Sequence, residues 1–260
     1  MQKVRVVTPT EATTASLAAF QDQLMNKDHW TGKLDYVVYA ANNVNSQLPG
    51  LVQNALNDSP DVIVAAGSTA AGIIQYVTAT IPIVQAVGGE IPANKKGNLT
   101  GFQSDAKAVA QTQLNNISAQ NVTVLYDDTN DPSIDAFNAL VAPGTKQIIP
   151  LTISKPNGFA PLKATYNFTD GFMVIPNAMY YKHFQDVVDM VDGNGNIKAF
   201  YYPEREFKNA HQKSDQNTIK VHGHKIPDTF RIAADLVSDI LNRKYTVPNL
   251  PAFQEAVTDP

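Results

Sequence analysis

The sequence contains no cysteine among its 260 residues. That absence excludes thiol nucleophiles, disulfide bonds and thiolate metal sites, and it fits either a reducing or an oxidising compartment. Blocks of lysine and arginine are also missing, and the net charge is −4. Because nothing in this charge pattern favours binding to a phosphate backbone, we expect no nucleic-acid partner.

Long apolar runs are missing too. None approaches the roughly 20 residues that a membrane-spanning helix needs. The amino terminus lacks the apolar core of about 7–15 residues that a signal peptide has, because Met1-Gln2-Lys3 leads directly into a strand-like run over residues 4–8. Two locations stay open: cytoplasmic if Met1 is the native start, and extracytoplasmic (periplasmic or lipid-anchored) if an export signal was removed.

Short runs rich in valine and isoleucine alternate with amphipathic stretches along the chain. Hydrophobic residues make up 43% and charged residues 17%, a balance typical of a globular protein. The runs are typical of parallel strands that helices cover on both faces, so the alternation predicts βαβ units in doubly wound sheets. The predicted strands are residues 4–8, 34–40, 61–66, 81–87, 121–126, 147–153, 171–175 and 197–202. The predicted helices are residues 13–26, 46–57, 69–77, 104–118, 133–140, 179–191 and 227–242.

Two polar, irregular segments interrupt this alternation, over residues 90–101 and 204–223. Each follows a group of four predicted strands, so we interpret them as crossings between two lobes. The predicted parts are residues 1–101 plus 224–243 for the N-terminal lobe, 102–223 for the C-terminal lobe and 244–260 for an irregular tail.

The residues after the third strand are the first candidates for a ligand site. In an open parallel sheet, ligands bind beyond the carboxyl ends of the strands, near a topological switch point. Gly67 permits a tight turn there, and Ser68 or Thr69 is expected to cap the next helix, whose amides favour an anionic group. The alternative is an ordinary helix cap without a ligand.

Two later strand ends offer further candidates. After the fourth strand, Gly88 and Gly89 allow close approach of a ligand, and Glu90 is placed to meet an ammonium group; a plain loop is the alternative. After the fifth strand, Asp127 and Asp128 suggest a cation contact. The spacing lacks the features of an EF-hand, so capping and an Asx turn are the alternative favoured there.

Motifs for metal binding and catalysis are missing. His222 and His224 share one side of an extended segment, but no third ligand follows at a recognisable spacing. Neither a nucleophile elbow nor a zinc-protease helix motif occurs. We therefore expect no enzyme activity, no cofactor and no metal. The candidate ligand-binding residues are Thr8, Ser68, Thr69, Gly88, Gly89, Asp127, Asn177, Tyr202 and His222.

Several segments resemble the substrate-binding components of a group of ABC transporters. They are PDVIVAAGSTAA at residues 60–71, ATIPIV at 79–84, NLTG at 98–101, VTVLYDDTNDPS at 122–133 and FRIAADLVSDIL at 230–241. These segments occur in the family's order over most of the chain.

The resemblance implies a type I periplasmic binding protein fold with two Rossmann-like lobes, parallel sheets, three crossings and a hinge. It implies a monomer that binds a small solute, in some members an aromatic amino acid, in the interlobe cleft by hinge closure and delivers it to an ABC permease in the membrane. The family's cleft residues map onto Ser68, Thr69, Gly88, Gly89, Asp127, Asn177, Tyr202 and His222.

The sequence also departs from that family. Asp127-Asp128 stands where the family commonly has Asn-Pro, and residues 203–220 do not match. Two other functions therefore stay open: a cytoplasmic ligand-sensing protein of the same fold, and a two-lobed enzyme such as a racemase. Racemases of that architecture commonly use paired cysteines, which this chain lacks.

Overall fold

The structure is a computed structural model, and it describes residues 1–9, 14–26, 33–42, 44–88, 95–128, 131–141, 144, 146–152, 171–175, 186–187, 199–204, 219–247 and 249–255. The chain divides into two compact units. The first unit comprises Met1–Ser104 and Lys225–Val257, and the second unit comprises Asp105–His224 and Thr258–Pro260. No helix among the described residues is long and apolar enough to cross a membrane.

The elements alternate between strand and helix along most of the described chain. In chain order they are β1 (Gln2–Thr8), α1 (Thr14–Asn26), β2 (Leu34–Ala40), α2 (Leu48–Asn57), β3 (Val62–Ala66), α3 (Ser68–Val77), β4 (Ile83–Val87), β5 (Leu99–Gln103), α4 (Ala106–Asn116), β6 (Asn121–Tyr126), α5 (Asp131–Val141), β7 (Gln147–Thr152), β8 (Gly171–Val174), β9 (Ala199–Glu204), β10 (Ile219–His224), α6 (Ile226–Leu241) and β11 (Gln254–Glu255).

The first unit is built on a six-stranded sheet with the order β11-β5-β4-β3-β1-β2, in which every pair is parallel. All five residues of β3 are buried, as a strand covered by helices on both faces requires. Helix α6 returns from the end of the chain to pack on α1, where Phe20 and Phe230 meet edge to face at 6.4 Å. Pro227 and Asp228 stand in the first turn of α6, where the missing proline N–H costs nothing and a carboxylate favours the helix dipole.

The second unit is built on a five-stranded parallel sheet with the order β10-β9-β8-β6-β7. Helices α4 and α5 contribute to its core, which contains Val122, Val124 and Met173. The ring of Tyr126 at the end of β6 stacks on Phe137 of α5, with centroids 4.1 Å apart. This stack fixes α5 against the carboxyl end of β6.

The two parallel sheets confirm the predicted fold class, and all eight predicted strands correspond to observed ones. Three strands were not among the eight predicted from the apolar runs. The predicted irregular segment 90–101 contains the start of β5, and the predicted irregular segment 204–223 contains most of β10. At these strand residues the irregular assignment was wrong, because polar residues and glycine break the apolar run in each strand. The tail contributes β11, which pairs with β5. Of the helix predicted over residues 179–191, only 186–187 lie within the described residues.

Candidate functional site

The first unit has a topological switch point between β1 and β3. The chain passes from β1 to β2 on one side and then returns to β3 on the other side, so the strand order reverses there. Pro9 follows β1 and Gly67 follows β3. A Cβ on Gly67 would lie 3.5 Å from Pro9 Cγ, so the two strand ends stay close beyond the sheet. Ligands of open parallel sheets bind at such a point.

Helix α3 begins at this switch point without a side-chain cap. Gly67 occupies the cap position with φ 124° and ψ 150°, a conformation open only to glycine. The expectation that Ser68 or Thr69 caps the helix was wrong, because both residues already lie in its first turn. The Ala71 N–H makes the first intrahelical bond, to the Gly67 carbonyl at 3.0 Å. The amides that precede Ala71 therefore point out of the helix end, where its dipole favours an anionic group.

Gly88 covers the same helix end. A Cβ on Gly88 would lie 2.6 Å from the backbone nitrogen of Ser68, so any side chain there would push the backbone at Gly88 away from α3. The Gly88 carbonyl also accepts a hydrogen bond of 2.7 Å from the Ser104 N–H. The structure thus brings Ser68 and Gly88 together, whereas Gly89 and Glu90 lie outside the described residues.

Thr8 ends β1 and is fully buried. Its carbonyl accepts a hydrogen bond of 2.9 Å from the Ala41 N–H, just after β2. This bond holds the ends of β1 and β2 together beside the switch point, so Thr8 forms part of the base on which the site is built.

The second unit has its own switch point, between β6 and β8. The chain passes from β6 to β7 on one side and then to β8 on the other side. Asp127 directly follows β6 and is only 3% exposed. Its N–H donates to the Ser133 hydroxyl at 3.1 Å, which ties the loop after β6 to the first turn of α5. Asn177, the candidate after β8, lies outside the described residues.

The remaining two candidates lie on neighbouring strands of the second unit. Tyr202 lies within β9 and pairs with Val221 of β10. His222 follows in β10, where the register shifts between Val221 and His224. Both positions are therefore strand positions, which agrees with the extended segment expected around His222 and His224 and contradicts the irregular segment at residues 219–223. Among the residues that the structure describes, no three His, Cys, Asp or Glu side chains form a group able to hold a metal ion.

An ion-pair network around the buried Arg5 side chain occupies the opposite end of the first sheet. The Arg5 guanidinium is 3% exposed and bonds to Asp35 at 2.6 Å and Asp58 at 2.7 Å. Burial lowers the pKa of Arg5, but the hydrogen bonds to the two carboxylates outweigh it and the pKa is raised. Hydrogen bonds from Tyr39 and then Arg5 lower the pKa of Asp58. Asp35 is the second residue of β2 and Asp58 precedes β3, so this network stabilises the amino ends of the strands and lies away from the switch point.

Comparisons with known proteins agree with this architecture. No protein-family profile and no curated protein sequence matches the chain. An ABC domain from Streptococcus pneumoniae in complex with L-Trp matches with a TM-score of 0.75 and 14% identity, over 99% of this chain and 90% of that one. A periplasmic solute binding protein of an ABC transporter from Actinobacillus succinogenes with bound D-allose matches with a TM-score of 0.68 and 15% identity, over 100% and 96%.

A LacI family transcriptional regulator from Arthrobacter in complex with lactose matches with a TM-score of 0.66 and 12% identity, over 100% of this chain and 98% of that one. At these identities the likeness establishes the fold. The chain has the two-lobed α/β fold of type I periplasmic binding proteins, as the sequence predicted.

Proposed function

We propose that this chain is the solute-binding protein of an ABC-type uptake system. It binds a small ligand between its lobes and passes it to a membrane permease. The observation that carries this proposal is the end of α3 at the first switch point, where Gly67 occupies the cap position without a side-chain cap and Gly88 packs beside the Ser68 amide. We propose hinge closure as the binding mechanism, in which a ligand that contacts both lobes stabilises the closed state by its differential affinity.

An amino acid is the ligand class that we propose first. The first-turn amides of α3 suit a carboxylate, and Asp127 at the second switch point suits an ammonium group. A zwitterion satisfies both. The structurally similar protein from Streptococcus pneumoniae was solved with an amino acid, whereas that from Actinobacillus succinogenes was solved with a sugar. Sugars therefore belong in the same screen.

A thermal-shift screen of protein that has been unfolded, dialysed and refolded tests the proposal. The panel contains the amino acids together with monosaccharides and disaccharides, including D-allose and lactose. We expect one class to raise the melting temperature in a concentration-dependent manner, since a ligand that binds only the folded state stabilises it by mass action. A panel in which no compound stabilises the refolded protein contradicts the proposal.

A ligand-sensing protein of the same fold is the second candidate, and the match to a LacI family regulator favours it. The two functions differ in where the protein acts. Fractionation of the native cells distinguishes them, because a solute-binding protein is extracytoplasmic and a sensor of this kind is cytoplasmic. In both cases we propose binding without chemical conversion of the ligand, by a monomer that carries no cofactor.

A further inference from the structure

A glutamine lies inside the first sheet, close to the candidate site. Gln85 belongs to β4, whose sequence is otherwise aliphatic, and its side chain is fully buried. The Nε2 amide donates to the Phe102 carbonyl of β5 at 2.9 Å. Burying an amide costs free energy unless hydrogen bonds compensate for lost water, and the bond to the Phe102 carbonyl offsets part of that cost.

The strand is irregular at this glutamine. In the pairing of β4 with β3, Ala65 lies opposite Gln85 and Ala66 lies opposite Val87, which leaves Ala86 as an extra residue. Such a bulge changes the direction of the side chains that follow it and is frequent beside functional sites. The bulge therefore redirects the end of β4 just before Gly88.

The neighbouring strand approaches Gln85 unusually closely. Gly101 of β5 pairs with Gln85, and a Cβ on Gly101 would lie 2.1 Å from the Gln85 carbonyl oxygen. Gly101 also has φ 130°, which L side chains rarely adopt. Only glycine fits here, and the close approach brings the Phe102 carbonyl within reach of the Gln85 amide.

The same amide also borders the turn that covers α3. A Cβ on Gly88 would lie 3.0 Å from Gln85 Nε2 and 2.6 Å from the Ser68 nitrogen. The Gly88 carbonyl in turn accepts from Ser104, the last residue of the first unit before the chain enters the second unit. Gln85 thus lies between the turn at Gly88 and the strand that leads out of the unit.

We propose that Gln85 is a positioning residue of the ligand site. Its side-chain amide fixes the turn at Gly88 relative to β5, and so determines how closely Gly88 covers the Ser68 amide. The consequence for ligand affinity rests on the function proposed above, whereas the positioning itself does not.

Hydrogen exchange at single amides tests the positioning directly. Gln85→Met keeps the side-chain length and removes the donor, and the matched control is Gln113→Met, a fully buried glutamine of α4 in the second unit. We expect the Ser104 amide to exchange at least tenfold faster in Gln85→Met, with the amide of Val64 in the core of β3 unchanged and Ser104 unchanged in the control. The proposal is overturned if amide exchange in Gln85→Met accelerates equally at Ser104 and Val64, or if it does not accelerate at Ser104.

Gln85→Glu provides a second variant with a built-in rescue. Burial raises the pKa of the introduced carboxyl, and its neutral form can donate to the Phe102 carbonyl as the amide does. We expect Ser104 protection to be lost at high pH and to return as the pH falls. The protection of the Ser104 amide is compared with its intrinsic exchange rate at each pH. If that protection is the same at every pH in Gln85→Glu, the proposal is contradicted even if Gln85→Met fails to fold.

Binding of L-tryptophan and of D-allose supplies the functional test. Whichever of these probes binds the wild type is expected to bind Gln85→Met about tenfold more weakly and Gln113→Met with unchanged affinity. Equal affinity for wild type and Gln85→Met overturns the link to the site. If neither probe binds the wild type, that result counts against the proposed ligand classes, and the exchange of Ser104 alone decides the positioning role.

Discussion

Gly88 lies so close to Ser68 that a Cβ on Gly88 would stand 2.6 Å from the Ser68 backbone nitrogen. The backbone at Gly88 therefore reaches the first turn of α3 only because residue 88 has no side chain. Gly72, in the same helix, has nothing within 4 Å of its Cβ position. A side chain at Gly88 would therefore disturb the end of α3, whereas one at Gly72 would not.

The first prediction concerns Gly88→Ala. The added methyl group forces the turn away from the α3 amides, so we expect solute affinity to fall at least tenfold. Isothermal titration with the strongest stabiliser from the screen measures the change. Gly72→Ala, within α3 itself, is the control. It is expected to leave affinity unchanged and to raise the free energy of unfolding by about 0.5–1 kcal/mol. Unchanged affinity in Gly88→Ala contradicts a ligand at this helix end.

The second prediction concerns Tyr36 of β2. Among the described residues its buried hydroxyl has no hydrogen-bond partner, and its ring stacks on Phe20 at 6.2 Å. Tyr36→Phe removes the unpaired hydroxyl and keeps the ring, so we expect the free energy of unfolding to rise by about 1 kcal/mol. Denaturant unfolding at pH 7 measures it, and a less stable variant means that the hydroxyl has a partner.

Tyr36 also predicts how stability depends on alkaline pH. Burial raises the pKa of Tyr36 to about 12, because it disfavours the charged phenolate. The unfolded chain ionises near pH 10, so the stability that this shift provides is fully present below pH 10 and is lost as the pH approaches 12. Tyr36→Phe lacks this component. Identical pH profiles of wild type and variant from pH 9 to 12 would contradict the raised pKa.

The third prediction concerns Asp58, which accepts hydrogen bonds from Tyr39 and Arg5. Because its pKa is lowered in the folded state, the carboxylate stabilises the fold above the unfolded pKa of about 3.9 and loses that effect as the pH falls through the lower folded value. We expect Asp58→Asn to melt at a lower temperature than wild type at pH 7, with the difference shrinking below pH 4. A difference that is constant from pH 2 to 7 is the contrary result.

The fourth prediction separates amino acids from sugars. Asp127→Asn removes the carboxylate charge and preserves the side-chain shape. If the ligand is an amino acid, we expect its affinity to fall sharply, by about 100-fold, because a charge-assisted bond is lost at a buried position. The adjacent Asp128→Asn is the control, since Asp128 is exposed. An amino acid that binds Asp127→Asn as tightly as wild type excludes Asp127 as its ammonium partner.

The sequence predicts the fold well because buried parallel strands are continuous apolar runs. The pattern of apolar runs does not predict β5 or β10, because polar residues and the glycines Gly101 and Gly223 interrupt the runs there. Gly67 in the sequence predicts where α3 begins, but it does not predict how the helix is capped. The cap position is held by this glycine in an extended, positive-φ conformation, where a Ser68 or Thr69 hydroxyl was expected.

The role of Gln85 does not follow from its strand sequence alone. One glutamine in an aliphatic strand can be a tolerated polar residue or a bonded one, and only the bulge in β4 and the close approach of Gly101 distinguish the two. A glutamine inside an otherwise aliphatic run, followed three residues later by glycine at the strand end, is the pattern that could have drawn attention to it.

The central claim is that a small solute binds at the end of α3. A titration of isotope-labelled, refolded protein with the strongest stabiliser, followed by amide chemical shifts, tests it most directly. We predict saturable changes that are largest at Ser68, Thr69 and Gly88. Saturable shift changes at other residues, with the chemical shifts of these three amides unchanged, would contradict the claim.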